Sequence, residues 1–213
     1  NVDILNLLLQ QLDTRDPTQE DLYFAVRNGN AAKTTELLKD HSISIHQTDW
    51  LGDSPLVIAT YGGHTEIVEM LLLRGADVSV RNYNGATCSE LATINGFNDI
   101  FQLMLEYGLD PYSEHSDASS PSWTPLYGAV SCNNFNIAMF YLTNGADPNE
   151  QAGPNNKDVP LCRAVRDGGD VSMVKVLVEH GASLNATGLL GESLLDIAYK
   201  ALNPNLFPYR PIE

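Results

Sequence analysis

Basic residues are scarce. Twelve Lys and Arg stand against 27 Asp and Glu in 213 residues, which leaves a formal net charge of −15. Phosphate recognition needs clustered Lys and Arg, so this composition argues against nucleic acid as a partner. Anionic membrane surfaces are disfavoured for the same reason. No apolar run reaches the roughly 18 residues of a membrane span. Cysteines number three, Cys88, Cys132 and Cys162, with no framework spacing. A reducing compartment, cytoplasmic or nuclear, is the expectation. No signal peptide is in view, although the chain begins at Asn1 rather than Met, so targeting stays open.

Catalytic patterns are missing as well. There is no G-x-S-x-G, no glycine-rich phosphate loop and no H-E-x-x-H. The histidines, His41, His46, His64, His115 and His180, are scattered, and no Cys or His spacing suits zinc. No metal, no cofactor and no enzymatic activity are expected. The three thiols read as buried packing groups.

What is present is a recurring unit, clearest from Gly52 to Asn82. Ser54 is a good helix N-cap and Pro55 suits the first helical position. Gly62 and Gly63 stop that helix, Thr65 is expected to cap a second one, and Gly75 ends it. Ile67, Val68, Leu71 and Leu72 form one apolar stripe at helical spacing. Neither helix is long enough to stand alone in water. The unit therefore needs neighbours, and the chain supplies them: 33 residues separate Ala59 from Ala92, and Gly75 from Gly108. The opening grammar returns at Thr124–Ala129, Val159–Ala164 and Ser193–Ala198. Gly75-Ala76-Asp77, Gly108-Leu109-Asp110, Gly145-Ala146-Asp147 and Gly181-Ala182-Ser183 close the middle copies.

This period, with T-P-L-x-x-A and G-A-D, resembles the ankyrin repeat over about nine tenths of the chain. The resemblance implies an all-α solenoid of about six helix-turn-helix repeats with short finger loops. The repeats span about 18–47, 48–80, 81–112, 113–149, 150–185 and 186–202. Residues 1–17 are expected to form an N-terminal capping helix and 203–213 an extended proline-rich tail, because Pro204, Pro208 and Pro211 forbid a regular helix. One departure stands out. The family's histidine after T-P-L is absent throughout; Tyr23, Val57, Glu90, Tyr127, Cys162 and Asp196 stand there. Its hydrogen bonds must be replaced or lost. A second departure is length: the segments before repeats four and five carry extra Ser, Asn, Gly and Pro, the chemistry of loops.

The resemblance also implies binding of a partner through finger tips and the exposed face of the first helices. Carried over by position, that gives Trp50, Ile58, Tyr61, Tyr83, Leu91 and Ile94 as an apolar, aromatic patch, with Tyr127, Arg163 and Arg166 further along. Aromatics with a polar handle are common interface hot spots. From Asn82 to Asn156 there are eight carboxylates and no Lys or Arg, a middle that would steer cationic partners. Arg163 and Arg166 are candidates to hold an acidic group. The expected function is a protein-interaction scaffold for a partner with a basic or mixed apolar-basic surface. The chain is expected to be a monomer or part of a larger chain. The alternative is a small-molecule binder or unusual enzyme, with a pocket walled by the long loops of repeats four and five and using Tyr127, Asp158, Arg163 or Arg166.

Overall fold

A computed structural model describes residues 18–82, 84–111, 124–153, 156–168 and 170–203. The expected capping helix at 1–17, the tail from 204, Tyr83 and most of the fourth repeat's long loop lie outside them. Among the described residues there are eleven helices and no strands beyond isolated bridges. The chain divides into two compact units, one reaching Asp77 and one beginning at Val78.

In the first unit α1 (Gln19–Arg27) and α2 (Ala31–Leu37) form one hairpin, and α3 (Pro55–Tyr61) and α4 (Thr65–Leu73) the next. α1 packs on α3, and α2 on α4. The helix starts follow local chemistry. Thr18 and Asp21 cap α1 reciprocally, and Ser54 Oγ accepts from Val57 N–H ahead of Pro55. α4 departs from expectation: Thr65 is its first helical residue, and His64 takes the cap position without a side-chain cap bond. The reason lies across the hairpins. The His64 ring turns toward α1, its Nε2 3.3 Å from Arg27 O, and lies over Gly29 and Gly62. A Cβ on either glycine would meet that ring at 2.7 or 2.4 Å.

The second unit holds α5 (Cys88–Asn95), α6 (Asn98–Glu106), α7 (Pro125–Ser131), α8 (Phe135–Thr143), α9 (Pro160–Arg166), α10 (Val171–Glu179) and α11 (Leu194–Leu202). First helices stack in the order α5, α7, α9, α11, and second helices in the order α6, α8, α10. Phe101, Phe140 and Tyr141 meet edge to face between α6 and α8. Thr87 with Glu90 and Ser193 with Asp196 are capping boxes.

Each finger loop is closed by an equivalent backbone bond across its base. Asp49 N–H donates to Asp53 O, Asn82 N–H to Ala86 O and Gly188 N–H to Glu192 O, all at 2.9 Å. In the fifth repeat the same bond runs from Ala152 to Asp158 at 2.8 Å, so the extra residues sit inside that finger.

The missing histidines are replaced unevenly. Tyr23 Oη donates to Gln47 O at 2.9 Å, and Tyr127 Oη to Asp158 Oδ2 at 3.0 Å. Glu90 and Asp196 serve the capping boxes, while Val57 and Cys162 are buried apolar groups.

Candidate functional site

In the first unit the solvent face of α1 presents Glu20, Phe24 and Arg27, at spacings of four and three that share one side of a helix. Arg27 Nη2 reaches the finger and donates to Asp49 Oδ2 at 2.8 Å. Asp49 is buried; its Oδ1 also accepts from Leu51 N–H and Asp53 N–H. That fastening sets the finger, and with it Trp50, beside α1. Tyr61 stands on α3 at the register Arg27 holds on α1. Phe24, Trp50 and Tyr61 are 72, 79 and 69% exposed. Nearby, burial first and Asp49 second raise the Asp53 carboxyl, whose Oδ1 has no hydrogen-bond partner. Two carboxylates thus share one guanidinium at the base of this finger.

The remaining sequence-derived residues fall out differently. Ile58 in the first unit and Leu91 in the second are buried, so they offer little area to a partner. Ile94 is exposed on α5, and Tyr83 lies outside the described residues. Phe24 was passed over by the aromatic-patch reading although it shares the register of Ile58 and Leu91.

The second unit gathers Tyr127, Asp158, Arg166 and Glu192. Asp158 is 1% exposed and occupies the finger position that Asp53 and Glu192 hold in theirs. Arg166 grips it with two donors, Nη1 to Oδ2 at 2.5 Å and Nη2 to Oδ1 at 3.2 Å. Arg166 Nη2 also lies 3.8 Å from Glu192 Oε1. Gly188 leaves room for that guanidinium, since a Cβ there would meet Nη2 at 2.7 Å. Burial first, and Asp158 next, push the Tyr127 hydroxyl up to about 12. The Cys162 thiol is pushed up to about 11 by burial, then by Asp158. Arg163 Nε stands 2.7 Å from Asp167 Oδ2, an ion pair off the N–H direction.

Arg163 and Arg166, read from sequence as cations open to an acidic group, therefore face carboxylates of their own chain, and Tyr127 is an interior bridge between repeats. Asp158, named with Tyr127, Arg163 and Arg166 for the alternative pocket, is the residue that joins this network. Its signal was faint: counted back from the helix start, a carboxylate recurs at Asp53, Asp158 and Glu192. Among the described residues no group of three His, Cys, Asp or Glu is placed to hold a metal ion. No described helix is long and apolar enough to cross a membrane.

Comparison with known proteins places this geometry. The family pattern described as ankyrin repeats in three copies matches residues 1–82, 22–115 and 90–188. An ankyrin repeat protein of fowlpox virus (strain NVSL) is 28% identical over 171 residues, covering 79% of this chain and 37% of the viral protein. The human transient receptor potential cation channel subfamily A member 1 is 24% identical over 205 residues, covering 77% of this chain and 18% of the channel. The chain thus spans well under half the length of these relatives. Among solved structures, one of the Bd0816 predatory endopeptidase from Bdellovibrio bacteriovorus in complex with immunity protein Bd3460 contains a similar chain. It matches at 26% identity with a TM-score of 0.73, covering 86% of this chain and 92% of that one. The ankyrin repeat domain of Bcl-3 matches at a TM-score of 0.67 and 24% identity, covering 85% and 81%, a likeness of fold. Ankyrin repeats mediate protein–protein interaction and are typically non-enzymatic binding scaffolds. With matched spans that together cover residues 1–188, this chain belongs to the ankyrin-repeat family.

Proposed function

We propose that the chain is a non-catalytic scaffold whose first unit takes hold of a partner protein segment through Phe24, Trp50 and Tyr61. The observation that carries this reading is their joint exposure beside the Arg27–Asp49 fastening. Three large aromatics left in water on neighbouring elements are costly to solubility, and such patches mark contact sites. The partner's chemistry follows from charge. Residues 18–77 hold nine carboxylates and four basic groups. Asp49 and Asp53 share Arg27, so a Lys or Arg brought beside Trp50 gains an aromatic face and the field of two carboxylates that one guanidinium balances incompletely. The partner segment is thus apolar with interspersed basic residues. A solved complex of a predatory endopeptidase with an immunity protein contains a similar chain, which is a precedent for such a chain within a protein complex.

The alternative, a pocket worked by Tyr127, Asp158, Arg163 or Arg166, finds less support, since these groups already engage carboxylates and hydroxyls of their own chain. The test is affinity capture with mass spectrometry, run with wild type, Trp50→Ala and Tyr61→Ala. Partners retained by wild type and lost by both variants, at unchanged melting temperature, support the reading. Equal capture by all three overturns it.

A further inference from the structure

One finger position carries a carboxylate in both units, and the carboxylates are served differently. Asp53 and Asp158 each close their finger, accepting through the main-chain carbonyl from Asp49 N–H and Ala152 N–H. In the second unit the Asp158 carboxylate is fully engaged. Tyr127 Oη of the preceding repeat donates to it, and Arg166 of its own repeat spans both oxygens with two nitrogens. Glu192, at the same position of the last finger, also lies beside Arg166 and accepts from Leu190 N–H at 2.7 Å. In the first unit both donors are diverted or replaced. Tyr23 holds on α1 the register of Tyr127 on α7, but its Oη donates to Gln47 O. Tyr61 holds on α3 the register of Arg166 on α9, so a phenol stands in place of the guanidinium.

Arg27 does not make up the loss. Its ion pair is with Asp49, at 2.8 Å. Asp49 is thereby saturated: Oδ2 takes that guanidinium, and Oδ1 takes the N–H groups of Leu51 and Asp53. Asp53 differs. Its main-chain N–H and carbonyl are both bonded, yet its Oδ1 is enclosed with no hydrogen-bond partner. An enclosed carboxylate oxygen without a donor is costly, because it has given up water and received nothing in return. Burial, and then the neighbouring Asp49, raise this carboxyl. The carboxyl torsion of an aspartate is soft, so either oxygen can turn to an incoming donor. Trp50, inside the same finger, and Tyr61, on the helix that follows it, are exposed.

Building on the scaffold function of the first unit, we propose that Asp53 sets its specificity: it takes the guanidinium of an arginine in the partner segment, as Asp158 takes that of Arg166. Arginine fits better than lysine for two reasons. Its planar fork matches a carboxylate with two parallel bonds, the arrangement Arg166 makes on Asp158. The flat guanidinium also stacks on an aromatic face, which Trp50 and Tyr61 both offer. Lysine brings a compact, strongly hydrated ammonium that cannot fork in this way.

The test has two parts. The free chain comes first. Asp53→Asn keeps the side-chain shape and removes an uncompensated charge, so its melting temperature should equal or exceed that of wild type, whereas that of Asp158→Asn should fall. A lower melting temperature for Asp53→Asn means that the carboxylate is already paired within the chain, and overturns the proposal. Binding comes second, with peptides selected from a random library on the wild-type chain. They should share an arginine. Changing it to lysine, or to citrulline, its neutral isostere, should weaken binding by about tenfold or more, the scale of a charge-assisted pair. Asp53→Asn should weaken the arginine peptide equally, and in that variant the preference for arginine over lysine should vanish. A library that enriches lysine as readily as arginine overturns the proposal. Binding lost in Trp50→Ala and Tyr61→Ala but unchanged in Asp53→Asn overturns it alone and leaves the scaffold function standing. Binding indifferent to Trp50→Ala and Tyr61→Ala, or a library that yields no binder, overturns that function and the role of Asp53 with it.

Discussion

Replacing Asp158 by Asn probes the interior of the second unit most sharply. The Asp158 carboxylate is almost wholly removed from solvent and accepts from Tyr127 Oη and from two nitrogens of Arg166. Asn keeps the shape, removes the charge and turns an amide N–H₂ toward groups that are themselves donors. Breaking a buried ion pair by disabling one partner costs about 3–5 kcal/mol when the other charge is left uncompensated. Arg166 is not left wholly so: Glu192 stands 3.8 Å away, and the Arg166 side chain itself keeps 18% exposure. The expected loss is therefore about 2–4 kcal/mol, which for a chain of this size lowers the melting point by roughly 5–15 °C. Tyr127→Phe should cost less, about 1.5–3 kcal/mol, because it removes one hydrogen bond to a charged acceptor and leaves the ion pair standing. Thermal and urea denaturation followed by circular dichroism give the totals. Hydrogen exchange read by mass spectrometry gives the location, with protection expected to fall across 124–203 and hold across 18–77. An Asp158→Asn variant within about 0.5 kcal/mol of wild type, inside the range of ordinary surface substitutions, would refute the reasoning.

The Tyr127 hydroxyl is held well above the ordinary tyrosine range, at about 12, so the fold favours its neutral form. Its contribution to stability is complete below pH about 10 and declines as pH climbs toward 12; denaturation midpoints of wild type minus Tyr127→Phe should show that slope, and parallel curves would contradict it. Gly62→Ala should destabilise the first unit by about 1–3 kcal/mol through the clash with the His64 ring. Most of that cost should vanish in a His64→Ala background, and a double-mutant cycle reads it. The Cys88 and Cys162 thiols are buried, and the latter is raised to about 11, so a thiol reagent at pH 8 should leave both unmodified until urea unfolds the chain; rapid labelling of Cys162 in the native protein would contradict its placement.

The repeat was legible because caps and turns act over a few residues. Ser54 before Pro55, and glycine at the positive-φ turns, carry their meaning within one hairpin. Thr65 failed as a cap because the His64 ring answers to Arg27 and Gly29, which lie in the preceding hairpin. The same limit governs the candidate site. Arg166 declares its charge in the sequence but not its partner, and the finger insertion separates Asp158 from the preceding repeat, so its likeness to Asp53 shows only when counted back from the helix start. Register alone ranked Phe24, Ile58 and Leu91 as equals, whereas burial depends on the bulk stacked beside each one. It leaves Phe24 in water and covers the other two.

The scaffold reading stands or falls on the aromatic surface of the first unit. Panning a random peptide library on the wild-type chain, then titrating the selected peptides against Phe24→Ala, Trp50→Ala and Tyr61→Ala, measures it directly. The account predicts apolar sequences punctuated by Lys or Arg, affinity weaker by about tenfold or more in each variant at unchanged melting temperature, and weaker binding at high salt. Peptides that bind the three variants as tightly as wild type would contradict it.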